Sequence, residues 1–252
     1  MGNGTQTVLE YRVEQLLDPV RKLDATTLKW IAMLAMVCDH FALTILMRGG
    51  RFGWITPENP TALNLPYQVL RSIGRLSFPV FAYFIVEGFL HTRDWRKYLL
   101  KLVVFAFLSE LPFDLAIYGE IHWQYQNVFF ILALGVVMLE LFVRLPLSWH
   151  VPVLAGLSLL SWLCKFDYMV IGLVLIAVFY WLRNRRIAAV AAGALAFIWE
   201  PWSLVGFFLL LFYNGERGRG MKYFFYIIYP VHLIICGILR LYLYGNISTM
   251  IG

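Results

Sequence analysis

The chain has 252 residues, of which 61% are apolar and only 14% are charged. Soluble domains are roughly 45–50% apolar and about 25% charged, so this composition excludes both an ordinary soluble fold and a disordered chain. The composition predicts an integral membrane protein, all-α, built as a polytopic helix bundle.

Residues 1–27 differ from the rest of the chain because they carry charges of both signs and no continuous apolar run. This pattern excludes a cleavable signal peptide. Leu9, Val13, Leu16 and Leu17 lie at helical spacing, and we expect an amphipathic helix on the cytoplasmic surface. Residues 28–252 are expected to form a single transmembrane domain.

Apolar runs divide this domain into about nine transmembrane helices (eight to ten), some of them short or re-entrant. A helix needs about 20 apolar residues to cross a hydrocarbon core of about 30 Å. The runs are Leu28–Met47, Val69–Leu90, Tyr98–Tyr118, Val128–Val143, Val151–Cys164, Tyr168–Leu182, Ile187–Trp199, Trp202–Tyr213 and Tyr223–Tyr244. Glu200-Pro201 leaves two interpretations open, namely two separate segments or one helix kinked at Pro201.

Basic residues mark every second loop, and short cytoplasmic loops accumulate lysine and arginine. They are Arg93, Arg96 and Lys97, then Arg144, then Arg183, Arg185 and Arg186, then Arg217, Arg219 and Lys222. The first loop, with Arg48, Arg51, Arg71 and Arg75, is the exception. The alternation predicts a multi-pass protein of the cell (inner) membrane with a cytoplasmic N-terminus. The net charge of +6 is then explained by topology and anionic lipid, with no nucleic-acid partner. The three cysteines have no paired spacing, so no metal site is expected.

Asp39-His40 is the densest polar feature inside a predicted span. From Lys29 to His40 is about 16 Å of helix rise, which puts the imidazole near the middle of the membrane. Ionisable groups there are costly and indicate function, although a polar contact between helices is the structural alternative. A histidine at that depth is suited to accepting a proton.

Arg71 and Arg75 stand four residues apart and share a helix face at the outer end of the second run. Two guanidinium groups that point the same way suit phosphates or paired carboxylates. The structural alternative is neutralisation by Glu110 and Asp114, which are also four residues apart in the third run.

Further polar residues occur in or beside the apolar runs. Glu87 and His91 share a face with Tyr83 at the inner end of the second run, and Arg93 or a backbone amide is expected to satisfy Glu87. Gln126-Asn127 opens the fourth run, where helix capping competes with substrate binding. His232 follows Tyr229-Pro230 inside the last run.

Several motifs, taken in order over about residues 28–240, resemble the TraX family of membrane-bound acetyltransferases. The motifs are LKWIAMLAMVCDH at 28–40, LRSIGRLSFP at 70–79, EGFLHTR at 87–93, YLL at 98–100, SELPFD at 109–114, QNVF at 126–129, NG at 214–215 and KYFFYIIYPVHL at 222–233. The basic-residue-x10-His spacing of Lys29 and His40 also resembles the signature of acyltransferase-3 proteins, in which the first-helix histidine is considered catalytic.

The resemblance implies transfer of an acetyl group from acetyl-CoA to an amine acceptor such as a pilin N-terminus, with His40 as general base beside Asp39. The residues implied in substrate or donor binding are Lys29, Arg71, Arg75, Glu87, His91, Arg93, Glu110, Asp114, Gln126, Asn127, Tyr229 and His232. The predicted topology puts Arg71 and Arg75 outside, whereas CoA is cytoplasmic. The resemblance therefore requires a donor threaded across the bilayer, or the inverted topology.

Three other functions stay open at this point. A glycan hydroxyl would need the same base as an amine acceptor, which would make the protein an O-acetyltransferase. A proton-coupled transporter or flippase would use Asp39, His40, Glu87 and Glu110 as a relay, although the sequence has no visible inverted repeat. A structural or immunity-type membrane protein is the third alternative.

Overall fold

The computed structural model describes residues 8–46, 55–56, 59–60, 64–122, 124–220 and 223–244. Predictions about residues 1–7, Met47 and Lys222 lie outside these ranges. Eleven helices are described, together with one antiparallel pair of two-residue strands, β1 (Ile55–Thr56) and β2 (Asn59–Pro60). The helices are α1 (Val8–Leu17), α2 (Ala25–Phe41), α3 (Asn64–Gly74), α4 (Ser77–Leu90), α5 (Trp95–Ile117), α6 (Val128–Arg144), α7 (His150–Leu163), α8 (Met169–Trp181), α9 (Arg186–Ala196), α10 (Leu204–Leu211) and α11 (Phe224–Tyr244).

Side-chain caps fix where several helices begin. Asp24 accepts a hydrogen bond from the Thr27 amide at the start of α2 (2.6 Å). Asp94 accepts from the Arg96 and Lys97 amides at the start of α5 (3.0 and 3.1 Å). These caps provide acceptors for amides that have no partner inside the helix. The local sequence therefore determines the residue at which each of these helices begins.

Within the described ranges, three helical segments are long and apolar enough to cross a membrane: Ala25–Leu46, Leu65–Leu90 and Phe224–Leu243. The first includes a π-helical turn, Ala42–Leu46, that continues α2. The apolar helices between residues 147 and 211 are shorter. The all-helical bundle agrees with the predicted fold class, while the count of about nine spans stays a prediction.

The second predicted run is not one continuous helix, because a turn at Arg75-Leu76 separates α3 from α4. Pro79 explains the break: its ring would clash with the carbonyl of residue 75 in an uninterrupted helix, and it is tolerated in the first turn of a new one. Both helices contact α2.

The Glu200-Pro201 segment forms two separate helices, α9 and α10, joined by a 3₁₀ turn at Pro201–Ser203. They are about 16 Å and 12 Å long, too short to cross a bilayer alone. The Arg186 guanidinium, at the start of α9, donates to the Tyr213 carbonyl just after α10 (2.5 Å). The two helices therefore form a hairpin that starts and ends at the same level, with Glu200 at its tip.

The interior of the bundle is formed by α4, α6 and α8, which contact one another. Ile131, Leu139, Leu173 and Phe179 are almost completely buried between them. The helices α2 and α3 pack on one side of this centre, and α11 packs along α5. The helix α2 thereby contacts α3, α4 and α11.

Candidate functional site

His40 contacts His232 across the interface between α2 and α11. Nδ1 of His40 lies 2.6 Å from Nε2 of His232, and the two ring planes differ by 3°. The ring of Tyr229 stands edge-on to both imidazoles. The Thr44 hydroxyl, in the π-helical turn, donates to the His40 carbonyl (2.7 Å). Such π turns inside helices occur often at functional sites.

Asp39 forms an ion pair with Arg71 on the neighbouring helix α3. Nη1 of Arg71 lies 2.5 Å from Oδ2 of Asp39, and the side chains are only 19% and 15% exposed. Gly74 permits this approach, because a Cβ at that position would overlap the Asp39 side chain. Asp39 therefore connects two helices beside His40, as the polar-contact alternative predicted.

Arg75 binds the tip of the α9–α10 hairpin. Its Nε lies 2.9 Å from Oε1 of Glu200, and its guanidinium also hydrogen-bonds the Tyr168 side chain. The predicted neutralisation of Arg71 and Arg75 by Glu110 and Asp114 is wrong. The carboxylates come from Asp39 and Glu200, because α2 and the hairpin tip pack against α3 at this level.

The loop between α7 and α8 brings Asp167 and Tyr168 into the same region. A backbone bridge positions it: the Gln126 amide donates to the Lys165 carbonyl, and the Asp167 amide donates to the Gln126 carbonyl (3.2 and 3.1 Å). Tyr168 stacks on Phe78, with ring centroids 3.6 Å apart. Lys165, Tyr168 and Met169 all have positive φ angles, a strained backbone that is typical of functional loops.

Burial raises the pKa of Asp167 to about 6, and the nearby Asp39 carboxylate adds to this, against the Tyr168 amide and the two arginines. The Asp167 carboxyl therefore changes its protonation state close to neutral pH. Asp167 lies in a charged cluster with Asp39, Arg71, Arg75 and Glu200.

These groups border a cavity of about 300 Å³. Its polar walls include Asp39, His40, Arg71, Arg75, Gln126, Asp167, Tyr168 and Tyr229. Its apolar walls include Met36, Leu43, Phe78, Phe81, Phe113, Ile117 and Val128. Six of the residues implied by the family resemblance, namely Asp39, His40, Arg71, Arg75, Gln126 and Tyr229, are thus brought together. His232 does not line the cavity but contacts His40, which does.

The remaining implied residues of the first half lie away from this cavity, at the N-terminal end of α2 and at or just after the C-terminal end of α4. Nζ of Lys29 lies over the Phe84 ring, 4.7 Å from its centroid. Nδ1 of His91 lies 3.8 Å from Oε2 of Glu87, and the His91 side chain is 76% exposed. Arg93 is exposed in the α4–α5 loop and is not the described partner of Glu87.

Glu110, Asp114 and Asn127 have structural hydrogen bonds. Oε2 of Glu110 accepts from the Asn127 side-chain amide (2.5 Å), while Oδ1 of Asn127 accepts from the Phe129 amide and caps α6 (3.0 Å). Oδ2 of Asp114 accepts from the His122 amide (2.9 Å). Helix capping, the alternative predicted for Asn127, is confirmed. Glu110, Asp114 and Gln126 also line a second, more open cleft.

Asp167, Tyr168 and Glu200 were missed as site residues by the sequence reasoning, which treated them as loop or run-end positions. A signal was present, since Glu200 and Asp167 are isolated acids between apolar runs. Their place in the site follows from contacts with residues that are distant in sequence, such as Arg75 for Glu200. Within the described ranges, no group of three His, Cys, Asp or Glu side chains is arranged to hold a metal ion.

The comparisons with known proteins agree with the motifs. The family model described as "TraX protein" matches residues 24–240. The chain is 30% identical over 241 residues to the "Probable fimbrial assembly protein FimC, serogroup H1" of Dichelobacter nodosus, covering 84% of this chain and 93% of that protein. No solved structure matches at a significant level. The protein is therefore a member of the TraX family, and its apolar helices make it a membrane protein.

Proposed function

We propose that this protein is an integral membrane acetyltransferase that moves an acetyl group from acetyl-CoA to an amine, with His40 as the general base. The observation that carries the proposal is the position of His40, late in a membrane-length helix, on a cavity that also holds Arg71 and Arg75. A polar group at such a depth is costly unless it is used or paired.

The chemistry assigns a task to each group on the cavity. His40 removes a proton from the acceptor amine as its nitrogen attacks the thioester carbonyl. The carbon–sulfur bond then breaks, and His40 returns the proton to the CoA thiolate. A positioned general base contributes typically about 10²–10⁴-fold to such a reaction. Arg71 uses Nη1 for Asp39, and the rest of its five-donor fork is available to the oxyanion.

The size of the cavity favours binding of the reacting ends alone. About 300 Å³ lies at the lower limit of small-molecule sites, so the acetyl thioester and the amine fit, but not a whole CoA. The phosphates would then lie at the cytoplasmic surface, against the basic inner loops. In the loop before α11, the Arg217 and Arg219 carbonyls accept hydrogen bonds from the Thr26 hydroxyl at the start of α2. The sequence left two arrangements open, a donor threaded across the bilayer and an inverted topology. We propose the threaded donor.

We place the N-terminus in the cytoplasm of the cell and keep nine membrane segments, with α9 and α10 as a re-entrant pair. The basic loops support this orientation. The equal level of Arg186 and Tyr213 supports the re-entrant pair.

The acceptor we propose is the N-terminal amine of a pilin-like protein. The relative from Dichelobacter nodosus carries the name of a fimbrial assembly protein, and the family resemblance implies a pilin N-terminus as the acceptor. The family resemblance favours an amine over a glycan hydroxyl. An assay with defined acceptors distinguishes the two.

The test uses purified protein in lipid nanodiscs with radiolabelled acetyl-CoA and three acceptors: none, a pilin-like N-terminal peptide and a glycan. We expect label on the peptide amine and CoA release in step with it. His40→Ala should abolish both, whereas Gly156→Ala, in α7 outside the cavity where a new Cβ meets nothing within 4 Å, should retain them.

Three outcomes would contradict the proposal. Peptide acetylation that survives His40→Ala would remove the base assignment. Label on the glycan alone would make the protein an O-acetyltransferase. An absence of acetyl-CoA binding, together with proton movement across vesicles that depends on Asp39 and His40, would favour a transporter.

A further inference from the structure

A chain of two hydrogen bonds runs from α11 to the cavity. Nδ1 of His232 lies 2.8 Å from the Ile228 carbonyl oxygen, one turn earlier in the same helix. A carbonyl oxygen only accepts, so Nδ1 of His232 must carry a proton. In a neutral imidazole the other nitrogen then has a lone pair and no proton.

That lone pair determines the tautomer of His40. Nε2 of His232 lies 2.6 Å from Nδ1 of His40, so His40 must donate from Nδ1. A neutral His40 that is protonated at Nδ1 has its own lone pair on Nε2. His40 lines the cavity and His232 does not, so the edge that is turned away from His232 is the one that meets the substrate.

The packing around the two rings holds this arrangement. The imidazole planes are 3° from parallel with centroids 4.9 Å apart. The Tyr229 ring stands at 74° to one ring and 72° to the other. His232 is only 6% exposed. A ring flip of either histidine would break the chain in an interior where unpaired polar nitrogens are costly.

We propose that His232 is a positioning residue that holds His40 in the tautomer with Nε2 as the proton acceptor. This inference rests on the proposed function, because it assigns Nε2 as the atom that takes the proton from the acceptor amine. As that proton arrives, His40 becomes an imidazolium and its Nδ1–H still donates to His232. The proton leaves from Nε2 to the CoA thiolate, and His232 stays neutral throughout.

Two substitutions separate hydrogen bonding from packing. His232→Leu fills the space without an acceptor, while His232→Gln offers an amide oxygen near the position of Nε2. We expect His232→Leu to lower kcat roughly 10- to 100-fold, a part of the about 10²–10⁴-fold that a positioned general base contributes. KM for acetyl-CoA and for the peptide should change less than about twofold, since His232 does not line the cavity. His232→Gln should recover most of the lost kcat.

The tautomer is also measured without activity. Histidine labelled with ¹⁵N reports which ring nitrogen carries a proton, and the chain has 5 histidines, so His40→Ala assigns the signals of His40. In the wild-type protein we expect His40 to be protonated at Nδ1 alone. In His232→Leu we expect a mixture of both tautomers, and the native spectrum elsewhere shows that this variant is folded.

The inference is overturned if His40 is protonated at Nε2 in the wild-type protein, or if His232→Leu keeps wild-type kcat. It is also overturned if His232→Gln is as slow as His232→Leu while both fold, because the acceptor would then be irrelevant. Failure of the proposed function has a different signature: the wild-type protein shows the Nδ1 tautomer but transfers no acetyl group.

Discussion

The ion pair between Arg71 and Asp39 offers a direct test of the packing around the site. Replacing Arg71 with Met keeps most of the side-chain volume but removes the guanidinium, which leaves the Asp39 carboxylate in a nearly buried position. The partner of Asp39 in the structure is Nη1 of Arg71, and its other oxygen, Oδ1, has no hydrogen bond within the described part of the chain. Arg71→Met therefore removes the ion-pair partner of a carboxylate that is only 15% exposed.

The size of the effect follows from this burial. At an effective dielectric constant of about 20, two unit charges about 4 Å apart attract by about 4 kcal/mol. Measured losses on breaking one side of a buried pair are about 3–5 kcal/mol, because an uncompensated charge remains. We therefore expect Arg71→Met to lower the free energy of unfolding by about 3–5 kcal/mol. Adding Asp39→Asn should restore at least half, since no unpaired charge is then buried.

The assay is reversible unfolding by SDS titration in mixed micelles for the wild type, both single variants and the double variant. The control is Lys97→Met: Lys97 pairs with Asp94, and the two side chains are 79% and 41% exposed. Solvent screens such an exposed pair, so its loss should change the free energy of unfolding far less than Arg71→Met does. The reasoning is refuted if Arg71→Met costs no more than the control, or if the double variant is as unstable as Arg71→Met.

Two further predictions concern packing and protonation. Gly206→Ala should cost about 1–3 kcal/mol of unfolding free energy, because the new Cβ would overlap the Leu76 carbonyl. Gly156→Ala, where nothing lies within 4 Å, should instead gain about 0.5–1 kcal/mol from helix propensity; equal effects at the two sites would contradict the close helix contact. Since the pKa of Asp167 rises from 3.8 to about 6, the folded protein holds this proton more tightly than the unfolded chain, and stability should fall as pH rises through that interval. Asp167→Asn should flatten this slope in unfolding curves recorded between pH 4 and 7, and an unchanged slope would show that another group is responsible.

Much of the local structure is predictable because its causes are local. The apolar runs predict where most helices lie, and the capping role of Asn127 follows from its place before an apolar run. The turn at Arg75-Leu76 was not predicted, although Pro79 indicates it, because the apolar composition continues across the break. The separation of α9 from α10 was one of two open alternatives, since a proline either kinks or ends a helix according to what packs beside it.

The sequence by itself determined that the protein is a helical membrane protein, which family it belongs to, and that Asp39, His40, Arg71 and Arg75 are the polar residues that need an explanation. Composition, helical spacing and motif order carry this information, because each depends on neighbours within a few turns. The tertiary structure alone decided the partners. His40 meets His232 across 192 positions of sequence and Asp39 meets Arg71 across 32. Such pairs depend on how helices pack, and spacing along one helix does not encode which face meets which neighbour.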